Sequence, residues 1–155
     1  MREALERSIE ELKRVDHLFY VSLKYTRTVD IIKTIIGRLI NCFEFGFDSI
    51  LNHAKDNKKI DIIPSNFGLK CELLKKTFHN DTELFEYINL YLLLRKLLRM
   101  PYTKREEFRR HVTMIATIDN NEIVEVNIDV LKEHYEKTKN FVNYVKTKVL
   151  GEQHG

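Results

Sequence analysis

An arginine and a histidine six positions apart, Arg105 and His111, are the side chains in this sequence best suited to chemistry. A histidine can donate or accept a proton near neutral pH, and an arginine can stabilise negative charge on a phosphate. Side chains of these two types therefore suit contact with a phosphate.

The pair lies in the most basic segment of the chain, residues 95–111. This segment holds seven Lys or Arg residues against two Glu, a local charge of +5, which leaves −2 for the rest of the chain. Such cations can hold phosphates, and aromatic side chains between them can stack on bases. The candidate nucleic-acid-binding residues are Arg95, Lys96, Arg99, Lys104, Arg109, Arg110 and Tyr102. A solvated helix end, with Glu106 and Glu107 as local partners, is the alternative interpretation.

Several common enzyme classes lack their motifs in this sequence. It contains no GxGxxG, GxxxxGK[ST], HExxH or CxxC pattern, and five glycines are too few for a glycine-built phosphate cradle. The spacing of the six histidines fits no set of metal ligands, so no metal site is expected. Cys42 and Cys71 lie far apart in apolar helical segments, which favours buried free thiols. His17 and His134, at the edges of apolar stripes, are expected to be structural.

Four long amphipathic segments predict helices that would hold this basic segment in place. They cover residues 2–27, 29–54, 84–100 and 129–151, and a short helix is predicted over 67–78. Because only a short hinge joins the first two helices, we expect them to lie antiparallel.

Polar residues suited to capping precede three of these helices. Thr26 or Thr28 can cap the second helix, and Asn80 or Asp81 can cap the helix over residues 84–100. Asp129 can cap the last one.

The helix over 84–100 carries an apolar face wider than one packing partner can cover. It is therefore predicted either to be central in a bundle or to contribute to an oligomer interface. Gly37 and Gly46 in the second helix suggest close helix crossings, with simply tolerated glycines as the alternative. Glu44 and Asp48 on the same helix are expected to face solvent.

Two alternating, β-branched segments, 111–118 and 122–128, predict strands, and the three polar residues between them tolerate positive φ. The predicted fold class is therefore mainly α, a four-helix up-and-down bundle with a short extra helix and a β-hairpin, at about 111–128, inserted before the last helix. Residues 1–150 form one predicted domain, and 151–155 are expected to fray.

The order of two long helices, a third helix and an Arg…His element before a last helix resembles the HEPN superfamily. Its motif, an arginine followed after four to six residues by a histidine, is met by Arg105 and His111 in REEFRRH. The segment DHLFYVSLKYTRT, residues 16–28, is also similar to small archaeal proteins with a HEPN-like bundle. The resemblance implies a helical bundle that often dimerises. In active members it implies a metal-independent endoribonuclease that needs no cofactor, whose catalytic residues here would be Arg105 and His111. His111 would act as general base or acid when a ribose 2′-hydroxyl attacks the adjacent phosphorus, and Arg105 would stabilise the phosphorane. In some pairs the resemblance implies a nucleotidyltransferase partner.

The sequence thus favours a HEPN-like binding module, expected to be a homodimer, that contacts RNA or an acidic protein through the 95–111 surface. A metal-independent endoribonuclease and a docking subunit for a protein partner such as a nucleotidyltransferase are the alternatives. The charged first turns, MREALERSIEEL, do not resemble a signal peptide, and no run of 18 apolar residues predicts a membrane span. A cytoplasmic location without a membrane partner is expected.

Overall fold

The computed structural model describes residues 1–151, in which five helices surround a common core and a small sheet precedes the last helix. The first helix, α1, continues from its regular part through a π-helical turn, Leu18–Ser22, to a short end, Leu23–Tyr25. The last helix, α5, ends in a second π-helical turn, Thr147–Gly151. The regular parts are α1 Arg2–His17, α2 Val29–Asp56, α3 Phe67–Thr77, α4 Thr82–Arg99 and α5 Ile128–Lys146.

Side-chain caps fix the starts of four helices. Thr28, Asn66, Asp81 and Asn127 each accept a hydrogen bond from the backbone N–H three residues later, at 2.8 to 3.3 Å. Each bond satisfies one of the N–H groups that a helix start leaves unpaired. Thr28 and Asp81 were among the predicted caps. The prediction for the last helix is wrong, because Asn127 caps it and Asp129 lies in its first turn.

The central element is α2, which contacts α1, α3, α4 and α5. The apolar side chains of α4 are buried or half-buried against α2, α3, α5 and the rest of the chain. The fully or nearly buried ones are Leu84, Tyr87, Ile88, Leu90, Tyr91, Leu94 and Leu97. The wide apolar face of α4 is therefore covered within one chain, and its width no longer argues for an oligomer interface.

The crossing of α2 and α5 depends on Gly46. The ring of Phe141 packs so closely that a Cβ at position 46 would lie 2.4 Å from its Cε2 atom. The same ring lies 4.5 Å from the ring of Phe43 and 5.3 Å from that of Phe47, measured between centroids. At Gly37 a Cβ would meet Leu98 at 3.7 Å, an ordinary contact. The predicted close crossing is confirmed at Gly46.

The sheet has three antiparallel strands in the order β1-β2-β3: Tyr102–Arg105, Thr113–Thr117 and Ile123–Val126. The predicted two-stranded hairpin at 111–128 corresponds to β2 and β3 alone, so the prediction missed β1. This strand has four residues of which three are exposed, so it carries no alternation of apolar and polar side chains. His111 does not begin a strand either, since β2 starts two residues later.

The mainly helical fold class is confirmed, with a three-stranded sheet in place of the hairpin. The inner face of the sheet buries Met114, Ala116 and Val126, while Ile123 on the outer face is 65% exposed. None of the helices within residues 1–151 combines the length and apolarity needed to cross a bilayer. Of the predicted frayed tail, Gly151 ends the second π-helical turn and 152–155 lie outside the described residues.

Candidate nucleic-acid interface

Residues 106–112 connect β1 to β2, and we call them the basic loop. Two of them adopt left-handed backbone conformations, Glu106 with φ 53° and Phe108 with φ 66°. Residues with a Cβ pay about 1 kcal/mol or more for this region, and such costs persist only where neighbouring contacts impose them. The contacts that impose the conformation here are made with the start of α2.

Glu107 and Phe108 attach the basic loop to the start of α2. The Oε2 atom of Glu107 accepts the Val29 N–H at 3.0 Å, and the Phe108 N–H donates to the carbonyl of Arg27 at 2.7 Å. The carboxylate also meets the positive end of the α2 dipole. Lys104 approaches Glu107 at 3.4 Å, and the charge of Asp30, with the Glu107 hydrogen bond, raises the pKa of Lys104. The loop is therefore held from one side.

The opposite side of the basic loop presents an aromatic ring among cations. Phe108 is 74% exposed, which is unusual for a phenylalanine in a loop with two anchoring hydrogen bonds. Arg109, Arg110 and His111 are also exposed, and their side chains form no ion pair with any residue in the described part of the chain. An aromatic face beside unpaired cations can stack on a base while the cations meet phosphates.

Two of the other predicted cations, Lys96 and Arg105, form ion pairs within the chain. Lys96 forms an ion pair with Asp119, and Arg105 forms one with Glu125 at 2.7 Å. The guanidinium of Arg95 lies 5.6 Å from the centroid of the Tyr91 ring. These pairs take up much of the local +5 charge that the sequence shows. Arg99 stays exposed at the end of α4.

Arg105 and His111 lie at opposite ends of the basic loop. Arg105 is the last residue of β1 and pairs in register with Thr113, two positions after His111. Its guanidinium reaches across β2 to Glu125 on β3, along the outer face of the sheet. The carbonyl of His111 accepts the Thr113 hydroxyl at 2.8 Å, and its imidazole is exposed. Both side chains are thus accessible, but Arg105 already has an anionic partner.

Tyr102 does not join the exposed aromatic surface. It is half-buried, and the Lys33 ammonium lies 4.1 Å from its ring centroid. Sequence reasoning missed two other aromatics, Tyr20 and Tyr25, which are 58% and 78% exposed at the end of α1. The available signal was the position of Tyr25 between the cations Lys24 and Arg27 in LKYTR.

Glu44 and Asp48 of α2 do not lie on a solvated face. Glu44 accepts the hydroxyl of buried Tyr91 at 2.7 Å, and burial together with that hydrogen bond raises the pKa of Tyr91. Asp48 accepts from Lys70 of α3 at 2.8 Å. The prediction that both carboxylates face solvent is therefore wrong, because α3 and α4 pack on this side of α2.

No group of residues in the described range is arranged to hold a metal ion.

Both cysteines are buried free thiols, as predicted. Burial raises the pKa of the Cys42 thiol to about 12 and that of Cys71 to about 11. The Cys42 thiol donates to the carbonyl of Ser8 and also forms a hydrogen bond with the Ser8 hydroxyl. These bonds join α1 and α2 at their crossing. Neither thiol is ionised near neutral pH, so nucleophilic chemistry at sulfur has no support here.

His134 is buried on α5, and its Nδ1 atom has no hydrogen-bond partner among the described residues. Burial lowers the pKa of this imidazole, the charge of Lys137 lowers it further, and Glu133 offsets part of the effect. The neutral form is therefore the one that the fold accommodates.

Acid is expected to destabilise the protein through His134. Since its pKa is lower in the folded than in the unfolded chain, stability falls as the pH drops below about 6.5, the unfolded value, towards the folded pKa. Urea unfolding at a series of pH values measures this. His134→Leu should lose less stability over that interval, whereas the exposed control His79→Gln should behave as wild type. Identical pH dependence in wild type and His134→Leu would contradict the assignment.

A scan against protein-family models finds no match to this chain, and searches of curated proteins and of solved structures find no significant match. The HEPN-like relationship therefore stays a prediction from the sequence.

Proposed function

We propose that the protein is a HEPN-like RNA-binding module, built on a four-helix up-and-down bundle, that contacts single-stranded RNA through the basic loop. The exposed ring of Phe108, beside the unpaired cations of Arg109 and Arg110, is the observation that carries this proposal. Stacking on an aromatic ring is tolerant of base identity, and arginine meets phosphates with paired N–H groups. A module that binds RNA with little sequence preference fits both features.

The conformation of the loop supports the same proposal. The bond between Glu107 and Val29 and the bond between Phe108 and Arg27 hold the segment that contains the two left-handed residues, so the loop is preorganised before any ligand arrives. Preorganisation reduces the entropy that binding must otherwise offset. Backbone strain of this kind concentrates at binding sites, since an unconstrained loop would relax it.

Four further expectations belong to this proposal. An acidic protein partner could also bind Arg109 and Arg110, but binding to such a partner would not explain the exposed ring of Phe108. A homodimer and a docked nucleotidyltransferase rest on the family resemblance alone. A cytoplasmic location remains an expectation from the sequence.

Endoribonuclease activity at Arg105 and His111 is the second candidate. Its support is that both side chains are exposed at the ends of one short loop. The ion pair between Arg105 and Glu125 leaves the guanidinium less free to stabilise a phosphorane. Cleavage of RNA in EDTA by the wild type, lost in both His111→Ala and Arg105→Ala, would establish this activity.

The binding proposal is tested with Arg109→Ala/Arg110→Ala. Titration of a fluorescent single-stranded RNA should show at least about ten-fold weaker binding, because each arginine supplies a charge-assisted contact. The slope of log K against log salt should become shallower by about 1.4, from about 0.7 per phosphate contact. The exposed pair Lys55→Ala/Lys76→Ala is the charge-matched control. Equal loss in both double variants, or no RNA binding by the wild type, would overturn the proposal.

A further inference from the structure

A cleft of about 270 Å³ lies between the end of α1 and the first turn of α5. Three of the residues that line it are cations, Lys24, Arg27 and Lys132, and no lining residue is acidic. Their side chains form no ion pair with any of residues 1–151. A concave surface with unpaired cations and no carboxylate focuses a positive potential, which favours an anionic ligand.

The other lining residues are apolar or aromatic. Phe19, Leu23 and Ile128 line the cleft together with Tyr20, which is 58% exposed. Ligand sites combine such apolar surface with a few polar groups that fix orientation. The volume is just below the range of about 300 Å³ and above that holds drug-sized molecules, so one planar group with one anionic substituent matches it.

The π-helical turn Leu18–Ser22 builds one wall of this cleft. Single π-helical turns within α-helices are rare and occur frequently at functional sites. The ring of Phe19 lies 5.1 Å from the ring of Tyr135, whose hydroxyl donates to Asp16 at 2.6 Å. The carboxylate nearest to the turn in sequence is thereby engaged by a hydrogen bond.

We propose that this cleft binds one phosphorylated nucleoside. The base lies against Tyr20 and the apolar surface, and the phosphate lies among Lys24, Arg27 and Lys132. A nucleoside phosphate combines a planar group with an anion of this size. The proposal deepens the proposed function and rests on it, because the carbonyl of Arg27 accepts the Phe108 N–H and so joins the cleft to the basic loop. Either a free mononucleotide or the 5′-terminal nucleotide of a bound RNA supplies the same chemistry.

The first test uses 5′-AMP, adenosine and inorganic phosphate, each titrated into the full chain by calorimetry and followed by backbone amide shifts. 5′-AMP should bind more tightly than either fragment and move the amides of Tyr20, Lys24 and Lys132. Lys132→Ala should weaken 5′-AMP about ten-fold through one lost charge-assisted contact. Lys146→Ala, an exposed cation of α5 outside the cleft, should bind as wild type. No binding of 5′-AMP, or equal binding of 5′-AMP by both variants, would overturn the proposal that the ligand is a free mononucleotide.

The second test compares one RNA oligomer with a 5′-phosphate and with a 5′-hydroxyl. Tighter binding of the phosphorylated RNA, by about ten-fold and abolished in Lys132→Ala, would identify the RNA terminus as the source. Equal affinity for the two RNAs, together with no binding of 5′-AMP, would overturn the proposal that the cleft binds a phosphorylated nucleoside. The basic loop would then still stand as the RNA-binding surface. Binding of 5′-AMP in the cleft without any binding of RNA would support the cleft and overturn the proposed function.

Discussion

Replacing Gly46 by alanine is expected to lower the free energy of unfolding by about 2 kcal/mol, whereas Gly37→Ala in the same helix is expected to raise it by about 0.5 to 1 kcal/mol. Alanine favours helix over glycine by a similar amount at both positions. The two sites differ in what the added methyl group meets. At position 46 it would lie 2.4 Å from the Phe141 ring, and at position 37 it would lie 3.7 Å from Leu98.

Phe141 cannot easily move out of the way. Its ring is fully buried and lies between the rings of Phe43, Phe47 and Tyr87, with centroids 4.5 to 5.3 Å away. The Val145 side chain is also 3.4 Å from the added methyl position. Relief of the clash therefore requires α2 and α5 to separate, which opens contacts along the crossing.

A double-mutant cycle identifies the clash as the cause. In a Phe141→Leu background the ring atoms Cε2 and Cζ are gone, so Gly46→Ala should cost at least about 1 kcal/mol less than in the wild type. Urea unfolding of the four proteins measures the difference. An equal cost in both backgrounds would show that the crossing tolerates the methyl group and that the ring contact is not the reason.

Glu107→Ala is expected to lower both stability and RNA affinity. The change removes the acceptor of the Val29 N–H and the partner of Lys104, so the free energy of unfolding should fall by about 1 to 2 kcal/mol, as for loss of a helix cap. Without this anchor, Phe108 loses one of the contacts that hold its left-handed backbone. Affinity for single-stranded RNA should therefore fall about ten-fold, through the greater ordering cost of a mobile loop.

Phe108→Ala separates these two effects. Its ring is 74% exposed, so its removal should change the free energy of unfolding by less than about 0.5 kcal/mol. The same removal should reduce RNA affinity by about ten-fold, the value of one stacked base. Chemical unfolding and RNA titration of both variants provide the comparison. Unchanged RNA affinity in Glu107→Ala would show that the anchor does not preorganise the site.

The helices could be predicted from the sequence because each has a strong local signal. The apolar period of α2 and the caps at Thr28 and Asp81 depend on residues only a few positions apart, so they can be recognised in the sequence alone. β1 cannot be recognised from the sequence in this way. Its pairing with β2 depends on the basic loop, whose conformation is fixed by contacts with α2.

The candidate site was only partly predictable for a related reason. Residues 95–111 are basic in the sequence, but which cations stay unpaired depends on acids that the chain brings from elsewhere. Glu125, Asp119 and Asp30 all come from other elements. Sequence proximity could suggest Glu106 and Glu107 as partners, and only Glu107 serves as one. The exposed aromatics of α1, Tyr20 and Tyr25, were overlooked because the sequence does not show which rings the fold leaves uncovered.

The bond between Glu107 and Val29 joins residues 78 positions apart in the chain. Contacts of such long sequence separation close only after the intervening chain is ordered, since loop closure costs entropy before it is rewarded. We therefore expect the basic loop to take up its fixed conformation late in folding, once α2, α3, α4 and β1 are in place. A nascent or partly folded chain would carry the same arginines, but its Phe108 ring would not be held in a fixed position. Stacking of a base on Phe108 would therefore require the completely folded protein.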